Sequence, residues 1–253
     1  MRDFIYAANW KMHKNPDEAV QFFREFIPGL AKKSAAARRV IFFVPAVDLF
    51  SSVQAVSGSA VEVGAQNIHH EVKGAFTGET SAAVLNSIRV TWALVGHSER
   101  RTLFGETDAA TNLKMKTALA NGLSAMLCVG ETLAERESNS TMNIVARQLE
   151  AGLSAIVSDV KASPKRIAIA YEPVWAIGTG KVASPEQASA VHQSIRAWLT
   201  SKFDSKIAGE IAILYGGSVK PDNASAIAAK PDIDGFLVGG ASLEVDSFLG
   251  LVT

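Results

Sequence analysis

At 253 residues, with 25 basic against 25 acidic side chains and hydrophobic residues at 48%, the chain can bury a sizeable core and has no charge excess to attract nucleic acid or an anionic membrane. A single cysteine, Cys128, leaves no partner for a disulfide within the chain and fits a reducing compartment, where it reads as a small buried hydrophobe. No apolar window approaches the length of a membrane span, so the expectation is a soluble cytoplasmic protein whose partner is a small molecule.

The first apolar run, FIYAANW (4–10), precedes NPDEAVQFFREFIPGLAKK (15–33), where apolar residues at intervals of three and four predict a helix. RVIFFV (39–44), VEVGA (61–65) and TWALVG (91–96) follow as short strands, and TDAATNLKMKTALANG (107–122) returns to helical period. SAMLCVG (124–130) and RIAIAYE (166–172) come next. SPEQASAVHQSIRAWLTSKF (184–203) opens with Ser184 as N-cap, Pro185 at the first helical position and Gln187 three residues after the cap, a capping-box pattern. IAILYGG (211–217) and GFLVGG (235–240) complete eight apolar runs.

Strands so uniformly apolar are buried on both faces, as in a parallel sheet. Eight strand–helix units in this length is the arithmetic of a closed (β/α)8 barrel. An open doubly wound sheet is the alternative, but no GxGxxG follows the first strand, and polar groups follow nearly every strand rather than one switch point. No Pro-rich or low-complexity linker divides the chain, so residues 1–253 are expected to form a single domain.

In such a barrel the C-terminal ends of all strands open on one face. The first strand delivers Asn9, Trp10 and Lys11 there; the third, Gln66 and Asn67; the fourth, His97, Ser98, Glu99 and Arg100. The sixth ends on Glu172, the seventh on Gly216, Gly217 and Ser218, and the eighth on Gly239 and Gly240. Taken singly, each is ordinary: Lys11 reads as a solvated loop lysine, His97 as a packed or capping histidine, Glu172 as a salt-bridged strand end. GTGK (178–181) fails as a P-loop, because Val182 stands where Ser or Thr is needed. The shared position after strands carries the argument. Glycines on the last two loops would let backbone N–H groups approach a phosphate dianion without a Cβ in the way.

The motifs NWKM (9–12), GAFTGE (74–79), GHSERR (96–101), AYEPVWAIGTGK (170–181), YGGSV (215–219) and GFLVGGASL (235–243) occur in the order and approximate spacing of one family: from end to end the chain resembles the triosephosphate isomerases. The resemblance implies interconversion of dihydroxyacetone phosphate and glyceraldehyde 3-phosphate through an enediolate, in glycolysis and gluconeogenesis, with no metal or organic cofactor. It makes Glu172 the base, His97 the imidazole that donates to the developing oxyanions, Lys11 a fixed positive charge and Asn9 a further hydrogen bond. Gly178, Ser218, Gly239 and Gly240 match the phosphate binders, and Glu99 and Glu131 resemble supporting acids. Pro173 and Val174 match the stiff hinge of a lid whose tip, 176–180, closes over the phosphate. GAFTGE resembles the protruding loop, with Thr77 near its tip, that packs beside a partner's active site, so a homodimer is implied. The departures fall near that contact: His13 and Lys14 replace a common Asn-Gly pair, and His69, His70 and Glu71 make the start of the loop unusually polar. A Schiff-base aldolase would need a desolvated lysine inside the barrel, and the strands offer none. A sugar-phosphate sensor or scaffold would have lost the base or the lid, and both motifs are intact.

Overall fold

In a computed structural model, which describes residues 3–33, 38–176 and 183–252, eight strands pair in chain order and close on themselves. They are β1 (Phe4–Asn9), β2 (Arg38–Val44), β3 (Val61–Ala65), β4 (Trp92–Val95), β5 (Ser124–Val129), β6 (Ile167–Tyr171), β7 (Ala212–Tyr215) and β8 (Gly235–Val238). Every pairing is parallel, with Phe4 opposite Arg38 at the start of β1–β2 and Ile5 opposite Gly235 where β8 meets β1. The expected (β/α)8 barrel is what forms. Each apolar run becomes a strand because its alternate side chains have two separate cores to enter. Ile5, Ala7, Ile41, Phe43, Trp92, Leu94, Met126, Cys128, Ala168, Ala170, Leu214 and Leu237 fill the barrel interior. The intervening residues pack outward against the helices in a second, larger core.

Large and small residues alternate in the interior so that the layers fit. Gly64 is an instance: a Cβ there would lie 2.5 Å from the Phe43 ring, so the absence of a side chain on β3 makes room for the phenyl group of β2. Outside, Trp10 is wholly buried at the end of β1 against Phe22, Phe23 and Phe42, and its indole N–H donates to the Ser242 carbonyl at 3.2 Å. That bond ties the loop after β1 to the loop after β8.

The helices begin where their sequences provide caps. Asn15 accepts the N–H groups of Asp17 and Glu18 at the start of Pro16–Ala31. Ser184 accepts the Gln187 N–H while Gln187 accepts the Ser184 N–H, the reciprocal box expected for Pro185–Lys202. The segment predicted at 107–122 is helical over Asp108–Ala120, capped by Thr107. No helix among the described residues is long and apolar enough to cross a membrane.

Candidate active site

At the C-terminal mouth of the barrel, β1 ends on Asn9, and Lys11 lies just beyond it with a φ of 52°. Few residues other than glycine take that left-handed conformation. Two bonds hold it: the Lys11 N–H donates to Asn9 Oδ1 at 3.0 Å, and Gln66 Nε2 donates to the Lys11 carbonyl at 2.8 Å. The turn directs the Lys11 ammonium to Glu99 Oε1, 2.5 Å away.

After β4 the chain passes through Gly96, whose φ of 73° is again left-handed. A Cβ there would stand 2.9 Å from both Arg101 Nη2 and Thr111 Cγ2, so glycine is required on two counts. The Gly96 N–H donates to the buried Glu106 Oε1 at 2.9 Å, and Arg100 Nε and Lys114 Nζ neutralise Glu106 from 2.8 and 2.5 Å. His97, next in the chain, is thereby set on a fixed backbone and caps the helix Ser98–Phe104: its Nδ1 accepts the Glu99 N–H at 3.2 Å. With Nδ1 as acceptor, the ring proton sits on Nε2, which faces Glu172 Oε1 at 2.9 Å.

Glu172 follows β6 and is only 2% exposed. Its Oε2 accepts the Ser98 N–H at 3.0 Å. Burial acts to raise its pKa, but the His97 imidazole, the Ser98 N–H and the Lys11 ammonium outweigh it, so the carboxyl sits below its ordinary value and stays ionised at neutral pH. Burial likewise works against a charge on His97, and the Glu172 and Glu99 carboxylates reverse that, lifting the imidazole above its ordinary value. Behind the strand end, Glu131 is fully buried and accepts from the Tyr171 hydroxyl at 3.1 Å, from Trp175 Nε1 at 2.9 Å and from Arg136 Nη1 at 3.1 Å. These bonds brace Pro173 and the short 3-10 turn Val174–Ala176. Gly178, expected to bind phosphate, lies outside the described residues.

Asn9, Lys11, His97 and Glu172 line a cavity of about 560 Å³ together with Gly216, Gly217, Ser218, Gly239 and Gly240. Every described residue expected to act in catalysis or to bind phosphate through these loops lines this cavity, whereas Gln66, Asn67, Glu99 and Arg100, also delivered to the mouth, line a second cavity beside it; Thr77 stands apart in an exposed turn. A Cβ on Gly216 would lie 3.0 Å from Glu172 Cγ, and one on Gly217 would overlap the Tyr215 phenol, so these two glycines clear space rather than merely turn the chain. Among the described residues no group of three His, Cys, Asp or Glu side chains is placed to hold a metal ion. Cys128 lies inside the barrel with its thiol pushed well up by burial, which leaves it inert.

Several contributors were invisible in the sequence. Ser98 stood in a charged turn, and nothing in HSERR says that its N–H would meet a carboxylate from β6. Glu106 and Lys114, eight residues apart on one helix and the turn before it, gave no sign that they anchor Gly96. His192, on the helix Pro185–Lys202, is fully buried, held by Nδ1 against the Asp232 carbonyl at 2.9 Å and pushed down to about 4 by burial, so it is neutral.

Fold and cleft together define the class: a (β/α)8 barrel with a carboxylate, an imidazole, an ammonium and two glycine-bearing loops gathered at its C-terminal mouth. A family model described as triosephosphate isomerase matches residues 4–253. The chain belongs to the triosephosphate isomerase family. It is 48% identical over 252 residues to the triosephosphate isomerase of Carboxydothermus hydrogenoformans, covering 100% of this chain and 98% of that one. Against the triosephosphate isomerase of Flavobacterium johnsoniae it is 47% identical over 253 residues, with 100% and 99% covered. Against that of Solibacter usitatus the identity is 45% over 252 residues, with 100% and 99% covered.

Proposed function

We propose that this protein interconverts dihydroxyacetone phosphate and D-glyceraldehyde 3-phosphate by proton transfer, as a step of glycolysis and gluconeogenesis, and that Glu172 is its base. The observation that supports this reading is the placement of an ionised, buried carboxylate against the Nε2–H of His97, in the same cavity as Lys11 and the glycine loops after β7 and β8. Glu172 takes a proton from the carbon beside the carbonyl and returns it to the neighbouring carbon. Substrate oxygens take over the Nε2–H of His97 that Glu172 now accepts, which frees the carboxylate as the oxyanion gains a donor. Lys11 adds positive charge near the enediolate, and Asn9, which fixes the Lys11 backbone, offers a further polar contact. Ser218, Gly239 and Gly240 hold the phosphate through the backbone, with Gly178 completing that cradle. The residues named need no metal or organic cofactor for this chemistry.

The first test is an isomerase assay with both triose phosphates on wild type and Glu172→Gln. The substitution keeps the shape and removes the proton acceptor, so kcat should fall by about 10² to 10⁴. Turnover near wild type in the variant would sink the assignment.

The same reading takes the chain as one domain and the active form as a homodimer. Its support is an apolar surface around a second cavity, of about 350 Å³, lined by Met12, Pro45, Gln66, Thr80 and Phe104 and reaching His97 and Lys11 from the side. Met12 is 94% exposed and Phe104 68%, far more than an isolated barrel would leave in water beside its site. A partner's loop bearing Thr77 fills that cavity. A cytoplasmic location fits a chain with one buried, unpaired thiol.

A further inference from the structure

Glu172 stands between two cavities. In front is the cleft already described; behind is a separate polar cavity of about 330 Å³ between the helix Ser98–Phe104 and the chain at 130–148. Glu172 and Ser98 both line this rear space, and so do Thr102, Thr107, Thr132 and Gln148. Its polar side chains already have protein partners. Arg101 is bonded to the Gly96 carbonyl and Asp108, Arg147 also reaches Asp108, and Gln148 pairs with the backbone of Gly130. Thr102 donates to the Ser98 carbonyl, while the Thr107 and Thr132 hydroxyls accept helix-capping N–H groups. Apart from Glu135, whose carboxylate accepts from the Thr132 N–H and hydroxyl, the charges around this cavity are paired, so it has little with which to select a ligand, whereas a polar, open space of this size is one that water occupies.

At the wall shared by this space and the carboxylate lies the Ser98 hydroxyl, 3.5 Å from Glu172 Oε1 and buried with it. We propose that the rear cavity is a solvent compartment through which the proton captured by Glu172 exchanges with water, the Ser98 hydroxyl being the connection. The inference rests on Glu172 acting as the base. In the exchange, protonated Glu172 gives its proton to Ser98 Oγ as the hydroxyl passes its own proton to a cavity water; the reverse step returns a solvent hydron to Glu172, and no charge is left behind. Exchange by this path competes with return of the original proton to the substrate, and it does not need the front of the site to open.

The competition can be read directly. The reaction is run in D₂O, stopped at low conversion, and the product is analysed by NMR for hydrogen carried over from substrate against deuterium taken from solvent. Ser98→Ala removes the hydroxyl and keeps the N–H that holds Glu172. Thr102→Phe keeps the Ser98 hydroxyl and N–H and the Glu172 carboxylate, gives up only the Thr102 bond to the Ser98 carbonyl, and puts a bulky ring at the exposed edge of the rear cavity. Each should raise the ratio of carried-over hydrogen to deuterium several-fold, and Thr102→Phe should do so with kcat close to wild type. An active variant of either kind with the wild-type ratio overturns the proposal. Because the ratio is taken per molecule of product, it is independent of the loss of rate in Glu172→Gln on which the base assignment itself depends.

Discussion

Glu172 and Asp48 are both buried carboxylates, and their surroundings push them in opposite directions. Glu172 accepts from Ser98 and faces His97, so its charge is held. Asp48, at the start of the helix Leu49–Ala55, is fully buried, and neither of its oxygens, nor the Ser52 hydroxyl one turn further on, has a hydrogen-bond partner among the described residues. Burial, reinforced by the charge of Glu18, raises its pKa. A raised folded-state pKa means that the native state binds a proton more tightly than the unfolded chain. Stability therefore falls as pH rises from the unfolded value, about 3.9, through the folded one, and the loss persists at neutral pH. Asp48→Asn removes the ionisation, so the variant should gain in Tm over wild type at pH 7 to 8 and lose most of that advantage near pH 4. Thermal unfolding followed at several pH values checks this; an equal shift at every pH would mean that packing, not charge, separates the two proteins.

The placement of the base depends on how closely two strands approach beyond their ends. Gly130 follows β5, and a Cβ built on it would overlap the carbonyl oxygen of Glu172 after β6. That contact and the bond from the Glu172 N–H to the Val129 carbonyl at 2.8 Å settle where the Glu172 backbone lies. Gly130→Ala must spread the two strand ends, at a cost of about 1 to 3 kcal/mol by the usual scale of overpacking. It should also move the carboxylate away from His97 Nε2. The expected variant is folded, has a lower Tm and loses more in kcat than in KM, because the phosphate loops after β7 and β8 are untouched. Denaturation curves beside steady-state kinetics separate the two effects; a destabilised enzyme with unaltered kcat would show that the carboxylate tolerates the shift.

For the molecule as a whole, the decisive surface is the one that carries Met12, Phe76, Leu103 and Phe104 in the open. The loop that would enter a partner also places His69 between His70 and Phe76, with ring centroids 4.3 and 4.1 Å apart, so the proposed contact is part aromatic and part polar. Sedimentation velocity over a wide concentration range should show a dimer, and Phe104→Asp should shift it towards monomer while lowering kcat, since the cavity beneath reaches Lys11 and His97. A species that sediments as monomer at every concentration and is fully active would refute the dimer.

The eight apolar runs are strands, and the capping box at Ser184 starts the helix it was expected to start, with Asn15 capping the first helix in the same way, because strand burial and helix capping are local properties that neighbouring residues determine. The barrel followed from the count and order of those elements, and the position of residues after each strand brought Asn9, Lys11, His97, Glu172, Ser218, Gly239 and Gly240 to one mouth among several others, from which the resemblance to a family chose them; they do line one cleft. Other features needed the closed barrel. The Ser98 N–H meets Glu172 across 74 positions of sequence, and Gly130 matters because a second strand presses on it. Asp48 precedes a short helix, and only the folded chain removes it from water. Pattern within a segment reveals which face is buried; which groups from distant segments arrive within hydrogen-bonding distance is set by register and closure, and no single segment encodes those.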